Sequence, residues 1–257
     1  MNKKIYLTEI LLLIKCRNPK DFIDWIEYHL KLKFNHIVVL DNESPFDIKS
    51  ICEKYNLEYH YIEGFPNQYK LYNEYVNNSK SWWVLPIDDD EYLYMKNFND
   101  VNDMILYYQD KWEDMNKLSI RWKNMFPENA NDERGEKSLL EFCTNSNEKW
   151  AKLFDGGNKP VKTFVKTTQK IFYDLPNNHT HVPVTTETKD DAYMCNGERI
   201  NYKWYFGPDT DDDLKILHFQ YKSKDEWIWK CKNRKRVSMV DKIGYNLHRA
   251  DIYKKMI

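Results

Sequence analysis

The sequence predicts an α/β fold: an open, mostly parallel sheet flanked by helices, with a mixed C-terminal half. Three observations carry this expectation. Short apolar runs alternate with helically spaced segments through the first 95 residues, the order that produces right-handed crossovers and a parallel sheet. One of those runs stops abruptly at four consecutive carboxylates, Asp88, Asp89, Asp90 and Glu91, and the carboxyl ends of strands are where open α/β folds place their ligands. No internal repeat and no linker-like composition divides the chain, so it reads as a single domain over residues 1–257, in three parts: 1–95, 96–237 and a tail, 238–257.

Taken in order, residues 8–15 are apolar and form a first core strand. Asn18-Pro19 then marks a turn, with Pro19 suited to open a helix. Phe22, Ile23, Trp25, Ile26, His29, Leu30 and Leu32 follow at helical spacing. Residues 36–40 make a short buried strand that ends at Asp41-Asn42, Asp47 begins a second helix, and residues 57–62 read as a third strand. A helix over 67–76 leads to the fourth strand, 82–87. The second half is less regular. It is read as a helix over 101–108, strands over 117–122, 139–143, 161–166 and 170–172, loops at 177–184 and 207–213, a strand over 214–220, and a basic, aromatic helix over 224–237. The polar stretch 127–137 offers almost nothing to bury and is expected to be a mobile loop.

Composition excludes some functions. Lys and Arg number 39 against 40 Asp and Glu, a formal charge of −1, so there is no basic excess to capture a phosphate backbone, and nucleic acid is not an expected partner. Five dispersed cysteines without CxxC spacing read as reduced thiols in a cytoplasmic setting. No apolar run approaches the ~20 residues of a membrane span. Nine Trp and 19 Tyr supply flat amphipathic faces of the kind sugars and nucleobases use, although most must fill the core.

The acids are the focus. Asp88 and Asp90 are two apart, so on an extended chain they point the same way. Like charges at that spacing repel, and a bound divalent cation is the simplest compensation, with hard oxygen ligands suiting Mg2+ or Mn2+. The alternative is an acidic turn that merely solvates a strand end.

The ordered pieces of the chain resemble a known family. They are Lys15-Cys16-Arg17-Asn18 at the first strand's end, Asp24-Trp25-Ile26-Glu27-Tyr28-His29 in the first helix, Val39-Leu40-Asp41-Asn42-Glu43-Ser44, and Ile87-Asp88-Asp89-Asp90-Glu91-Tyr92-Leu93. Later come Lys162-Thr163-Phe164-Val165-Lys166, His179-Thr180-His181-Val182-Pro183 and Leu217-His218-Phe219-Gln220-Tyr221-Lys222-Ser223. In this order they are similar to nucleotide-sugar glycosyltransferases of the GT-A (Rossmann-like) fold. The likeness is to the family-2-like branch that includes glycosyltransferase family 92 proteins and some large-DNA-virus sugar transferases. Arg17 and Pro19 depart from that branch, whose pattern runs Lys-Asn-Glu.

The resemblance implies a metal-dependent hexosyltransferase-type enzyme that moves a sugar from a nucleoside-diphosphate donor, UDP preferred, to a glycan or glycolipid acceptor hydroxyl with inversion. Residues 1–95 become the nucleotide-binding half and 96–237 the acceptor side. It implies Asp90 as metal ligand, Asp88 shared between nucleotide and cation, and His218 as third ligand to Mn2+ or Mg2+. Arg17, Asn18, Asp41 and Gln68 would meet the nucleoside, and Lys222, with Lys230 or Arg234, the diphosphate. Glu91 either orients the donor sugar or starts the next turn, and Trp122 would stack on the acceptor. His179 and His181, with Lys162 and Lys166, would line the same cleft. Glu128 and Asp155 are the chosen general-base candidates among several acids. Two other readings are a carbohydrate-binding module on the same fold and a metal-dependent phosphoesterase.

Overall fold

The computed structural model describes residues 4–15, 18–64, 68–154, 157–173, 182–185, 192–200, 207, 213–233, 251–252 and 254–256. Its first half alternates as the sequence predicts: β1 (Tyr6–Ile14), α1 (Pro19–Lys31), β2 (His36–Asp41), α2 (Ile48–Lys54), β3 (Glu58–Tyr61), α3 (Gln68–Asn78) and β4 (Ser81–Asp88). Then follow β5 (Glu91–Met95), α4 (Val101–Lys111), β6 (Lys117–Asn124), α5 (Leu139–Phe142), α6 (Glu148–Ala151), β7 (Val161–Lys166) and β8 (Ile171–Phe172). The described elements end with β9 (Val184–Thr185), β10 (Ala192–Met194), β11 (Arg199–Ile200), β12 (Leu214–His218) and α7 (Lys224–Asn233).

Local chemistry explains the helix starts. The Asn18 side chain accepts from the Lys20 N–H at 3.0 Å with Pro19 in the first turn, and Asp47 accepts from the Ser50 N–H at 3.0 Å. Both satisfy donors that a helix N-terminus leaves unpaired.

Two compact units emerge: one of residues 1–122 with 159–216, the other of 123–158 with 217–257. In the first, β1 pairs in parallel with β2 and β4, and β2 with β3, while β7 runs antiparallel to β4 and β6. The order among the described residues is β11-β10-β6-β7-β4-β1-β2-β3, with β12 pairing β5 and β6. β1, β2 and β3 step outward on one side and β4 lies on the other flank of β1, so the strand order reverses between β1 and β4. Such a reversal opens a crevice at the carboxyl ends of the strands. Leu13 stands opposite Asp88 there. One sheet face buries Leu11, Val38, Leu40, Val84 and Val165 against Tyr72 and Val76 of α3 and Ile171 of β8.

The second unit has its own core of Phe126, Phe154, Tyr221, Trp227, Ile252 and Met256. Two expectations are corrected in it. Residues 139–143 are not a strand: Ser138 caps α5 by a capping box with Glu141, and this reciprocal pairing favours the helix over an extended run. Segment 127–137 is not free of burial, since Ala130 and Arg134 are buried. Its anchors are the Tyr221 hydroxyl, which donates to the Ala130 carbonyl, and Glu226, 3.0 Å from Arg134. No helix among the described residues is long and apolar enough to cross a membrane.

Candidate functional site

The acids lie where the strand order reverses. β4 carries Asp88 at its last position, Asp89 and Asp90 form a turn, and Glu91 opens β5. Glu91 is therefore a strand residue and not the start of a loose turn. Its backbone is pinned from α1: the Trp25 indole N–H donates to the Glu91 carbonyl and the Tyr28 hydroxyl to the Leu93 carbonyl, both at 2.8 Å. His29, fully buried, completes the seam, its Nε2 accepting from the Leu93 N–H at 3.4 Å. The Asp-Trp-Ile-Glu-Tyr-His segment thus acts by packing, holding the strand that leaves the acidic turn.

Lys162 stands at the centre of the charges. β7 runs antiparallel to β4, so a residue near its start comes alongside the end of β4. The Lys162 ammonium lies 2.9 Å from Asp88 Oδ2 and 3.1 Å from Glu91 Oε2, with its side chain 3% exposed. Burial alone would lower its pKa, but the carboxylates of Asp88 and Glu91 hold it well above the ordinary lysine value. Glu91 is wholly buried. Burial, reinforced by Asp88 and Asp90 and opposed by Lys162, pushes its carboxyl up to about 8. Glu91 Oε2 also accepts from the Asp88 N–H at 2.8 Å, whereas Oε1 has no hydrogen-bond partner among the described residues.

Gln68, the first residue of α3, directs its amide to Asp88 Oδ1 at 3.5 Å and to the Tyr72 hydroxyl at 2.8 Å. Gln68, Tyr72, Pro86, Lys162, Thr163 and Tyr173 line a cleft beside Asp88. The Tyr173 hydroxyl is buried there without a hydrogen-bond partner among the described residues.

At the end of β2, Asp41 is buried and holds the local turn, Oδ1 accepting from the Ser44 N–H at 3.0 Å and Oδ2 from the Tyr59 hydroxyl at 3.1 Å. Asn18 sits at the head of α1, its side chain engaged as the cap. Trp122 lies within β6, as the strand expected over 117–122 has it, half-buried, its backbone N–H bonded to the Pro160 carbonyl at 2.8 Å. Lys166 places its ammonium over the Trp83 ring, 5.7 Å from the centroid.

In the second unit, His218 closes β12, buried, its carbonyl accepting from the Met125 N–H at 3.0 Å. Lys222 is half-buried and Glu128 exposed. Arg17, Asp155, His179, His181 and Arg234 lie outside the described residues.

The residues at the turn suit a hard cation. An ion such as Mg2+ takes one or two carboxylates plus substrate phosphates instead of an all-protein cage. Asp88 keeps a third of its side chain in solvent, and among the described residues its Oδ1 meets the long contact from Gln68 while Oδ2 meets Lys162. No group of three or more His, Cys, Asp or Glu is gathered as a ready metal centre among the described residues.

Sequence reasoning placed Lys162 only loosely in the cleft and missed its partnership with Asp88 and Glu91. The signal available was a lysine near the start of a late apolar strand.

No family model matches the chain, and the search of curated proteins found no match. Among solved structures, the chain is similar to S. aureus TarS residues 1–349 in complex with UDP, at 17% identity and TM-score 0.38, covering 63% of this chain and 47% of that one. A complex of the same TarS fragment with UDP-GlcNAc gives 16% identity and TM-score 0.37, covering 63% of this chain and 45% of that one. Glucosyl-3-phosphoglycerate synthase from Mycobacterium tuberculosis, in complex with Mn2+, UDP and phosphoglyceric acid, gives 14% identity and TM-score 0.31, covering 53% and 46% of the two chains. The chain thus spans about half the length of these proteins.

Proposed function

We propose that this chain is a GT-A-type glycosyltransferase of the family-92-like branch, acting in the cytoplasm on a nucleoside-diphosphate sugar, with UDP as the preferred nucleotide and a glycan or glycolipid hydroxyl as acceptor. The observation that carries the reading is the position of Asp88. It ends β4 at the reversal of strand order, flanked by Gln68 and Lys162, in a chain whose motifs follow the order of that family.

In this reading Asp88 accepts from the ribose and Asn18, Asp41 and Gln68 surround the nucleoside. Arg17 meets the nucleoside and Lys222 the diphosphate. A divalent cation, Mn2+ or Mg2+, held by Asp90 with Asp88 and His218, would supply the positive charge that makes the diphosphate a competent leaving group. Glu91, fixed by Lys162 and by the Asp88 N–H, orients the donor sugar. Trp122 and His181 bind the acceptor, and one carboxylate, Glu128 or Asp155, removes the proton from its hydroxyl as that oxygen attacks the anomeric carbon with inversion.

The test is thermal stabilisation by UDP or GDP with and without Mn2+. Stabilisation by the nucleotide that needs Mn2+ and disappears in Asp90→Ala supports the reading. Stabilisation by oligosaccharide alone points to a binding module, and a shift caused only by DNA sinks the proposal.

A further inference from the structure

Lys162 changes the electrostatics of the acidic turn. Its ammonium is fixed: the side chain is 3% exposed and touches Asp88 Oδ2 at 2.9 Å and Glu91 Oε2 at 3.1 Å. Glu91 cannot swing away, because it is wholly buried, its Oε2 also holds the Asp88 N–H at 2.8 Å, and its carbonyl is tied to Trp25. A strand flanked by partners on both sides supports the lysine, with Ile120 of β6 opposite it. One face of Asp88 is therefore occupied by a permanent positive charge, and Oδ1 is left toward Gln68.

A dication taken up at Asp88 and Asp90 would share a carboxylate with that ammonium. Like charges a few ångströms apart in partly buried surroundings repel far more strongly than they do in bulk water. The repulsion weakens the ion's hold on the protein alone. A diphosphate carries negative charge of its own and offsets the repulsion when it arrives.

We propose that Lys162 is a positioning residue with two effects: it orients Asp88 and Glu91, and it keeps the turn's affinity for a divalent cation low until a nucleoside diphosphate is present, so that cation and nucleotide bind as a coupled pair. This rests on the functional reading above, in which Lys162 already fixes Glu91, and adds to it the control of cation affinity. Because coupling is reciprocal, whatever the nucleotide adds to cation affinity the cation adds to nucleotide affinity.

The experiment is a Mn2+ titration followed by the free-ion electron paramagnetic resonance signal, without nucleotide and then with saturating UDP. The proteins are wild type, Lys162→Gln, Lys162→Met and Lys162→Arg, each checked for folding by circular dichroism. Lys162→Gln keeps a hydrogen-bond donor without the charge, and so guards against a Met variant that fails to fold. The neutral variants are expected to bind Mn2+ alone about tenfold more tightly than wild type and to lose most of the gain that UDP confers. Lys162→Arg restores wild-type behaviour.

A merely structural lysine would leave cation affinity unchanged or lower it on removal, never raise it. Folded Lys162→Gln with unchanged or weaker Mn2+ binding, in a protein whose wild type binds UDP with Mn2+, overturns this inference alone. Wild-type protein that takes up no Mn2+ even with UDP present overturns the functional reading and this inference with it.

Discussion

Asp88 and His29 show how differently the same fold treats two ionisable residues. Asp88 keeps a third of its side chain in solvent beside an ammonium at 2.9 Å, so it is accessible to a ligand. His29 has no solvent and, among the described residues, no counter-ion. It packs against Trp25, ring centroids 4.1 Å apart, and its Nδ1 lies 2.9 Å from the Trp25 carbonyl. Burial, only partly opposed by that bond, drives its pKa down from 6.5 to about 3. The sign follows from linkage: the folded protein keeps His29 neutral while the unfolded chain takes the proton first. Its contribution is intact above the unfolded value and is lost as pH falls from about 6.5 toward 3, at up to ~1.4 kcal/mol per pH unit. His29→Gln, which cannot titrate, is expected to lower stability at pH 7 yet flatten the acid side of the profile. Urea midpoints at pH 7, 5.5 and 4 measure this, and a variant whose profile keeps the wild-type slope would remove His29 as the cause.

Helix α3 is tied to the short strand β8 by side chains that imitate a β-ladder. Asn77 donates to the Ile171 carbonyl and accepts from the Ile171 N–H, both at 2.7 Å. Asn73, one turn earlier, makes the same pair of bonds with Tyr173, at 3.2 and 2.6 Å. Each asparagine thereby satisfies both backbone groups of a residue in or next to β8, groups that burial would otherwise leave unpaired. Asn77→Ala is expected to cost about 1–3 kcal/mol and to speed hydrogen exchange at the Ile171 amide while amides of β1 stay protected. Exchange unchanged at Ile171 would show the bonds to be dispensable.

These long-range bonds mark the limit of what the sequence discloses. The alternation through β4 was legible because apolar spacing and caps such as Asn18 and Asp47 are local signals. The acidic turn was legible because it is one contiguous run. Residues 139–143 are ambiguous in sequence because Leu-Leu-Glu-Phe-Cys suits a strand or a helix equally, and the deciding pair, Ser138 with Glu141, spans the edge of that run. Strand β5 stayed hidden because its first residue reads as one more acid of the run. Lys162 meets Asp88 across 74 residues of chain, a contact that only the antiparallel return of β7 creates.

The parallel sheet of the first unit has two ends with opposite duties. At the carboxyl ends of its strands, Lys162 joins Asp88 and Glu91 beside a cleft. Near the amino ends the accounts are closed: Glu9, 2% exposed, accepts through Oε2 from the hydroxyls of Ser79 and Ser81 at 2.9 Å each and lies 3.0 Å from His36 Nδ1. His36 Nε2 in turn lies 3.3 Å from Glu58. An acid with several donors is a structural device, since every partner loses its bond if the carboxylate goes. Glu9 lies five residues before the end of β1, roughly 16 Å along an extended strand, so the two ends should act independently. Glu9→Gln presents an amide to groups that are themselves donors and is expected to destabilise the protein by about 2–4 kcal/mol. The extra stability conferred by UDP with Mn2+ should be unchanged. Asp90→Ala should abolish the ligand's increment, and the double variant should show the two changes added. Denaturant melts of all four proteins with and without UDP and Mn2+ decide it. If Glu9→Gln also reduces the ligand increment, the two ends of the sheet are coupled and the division of labour between them is wrong.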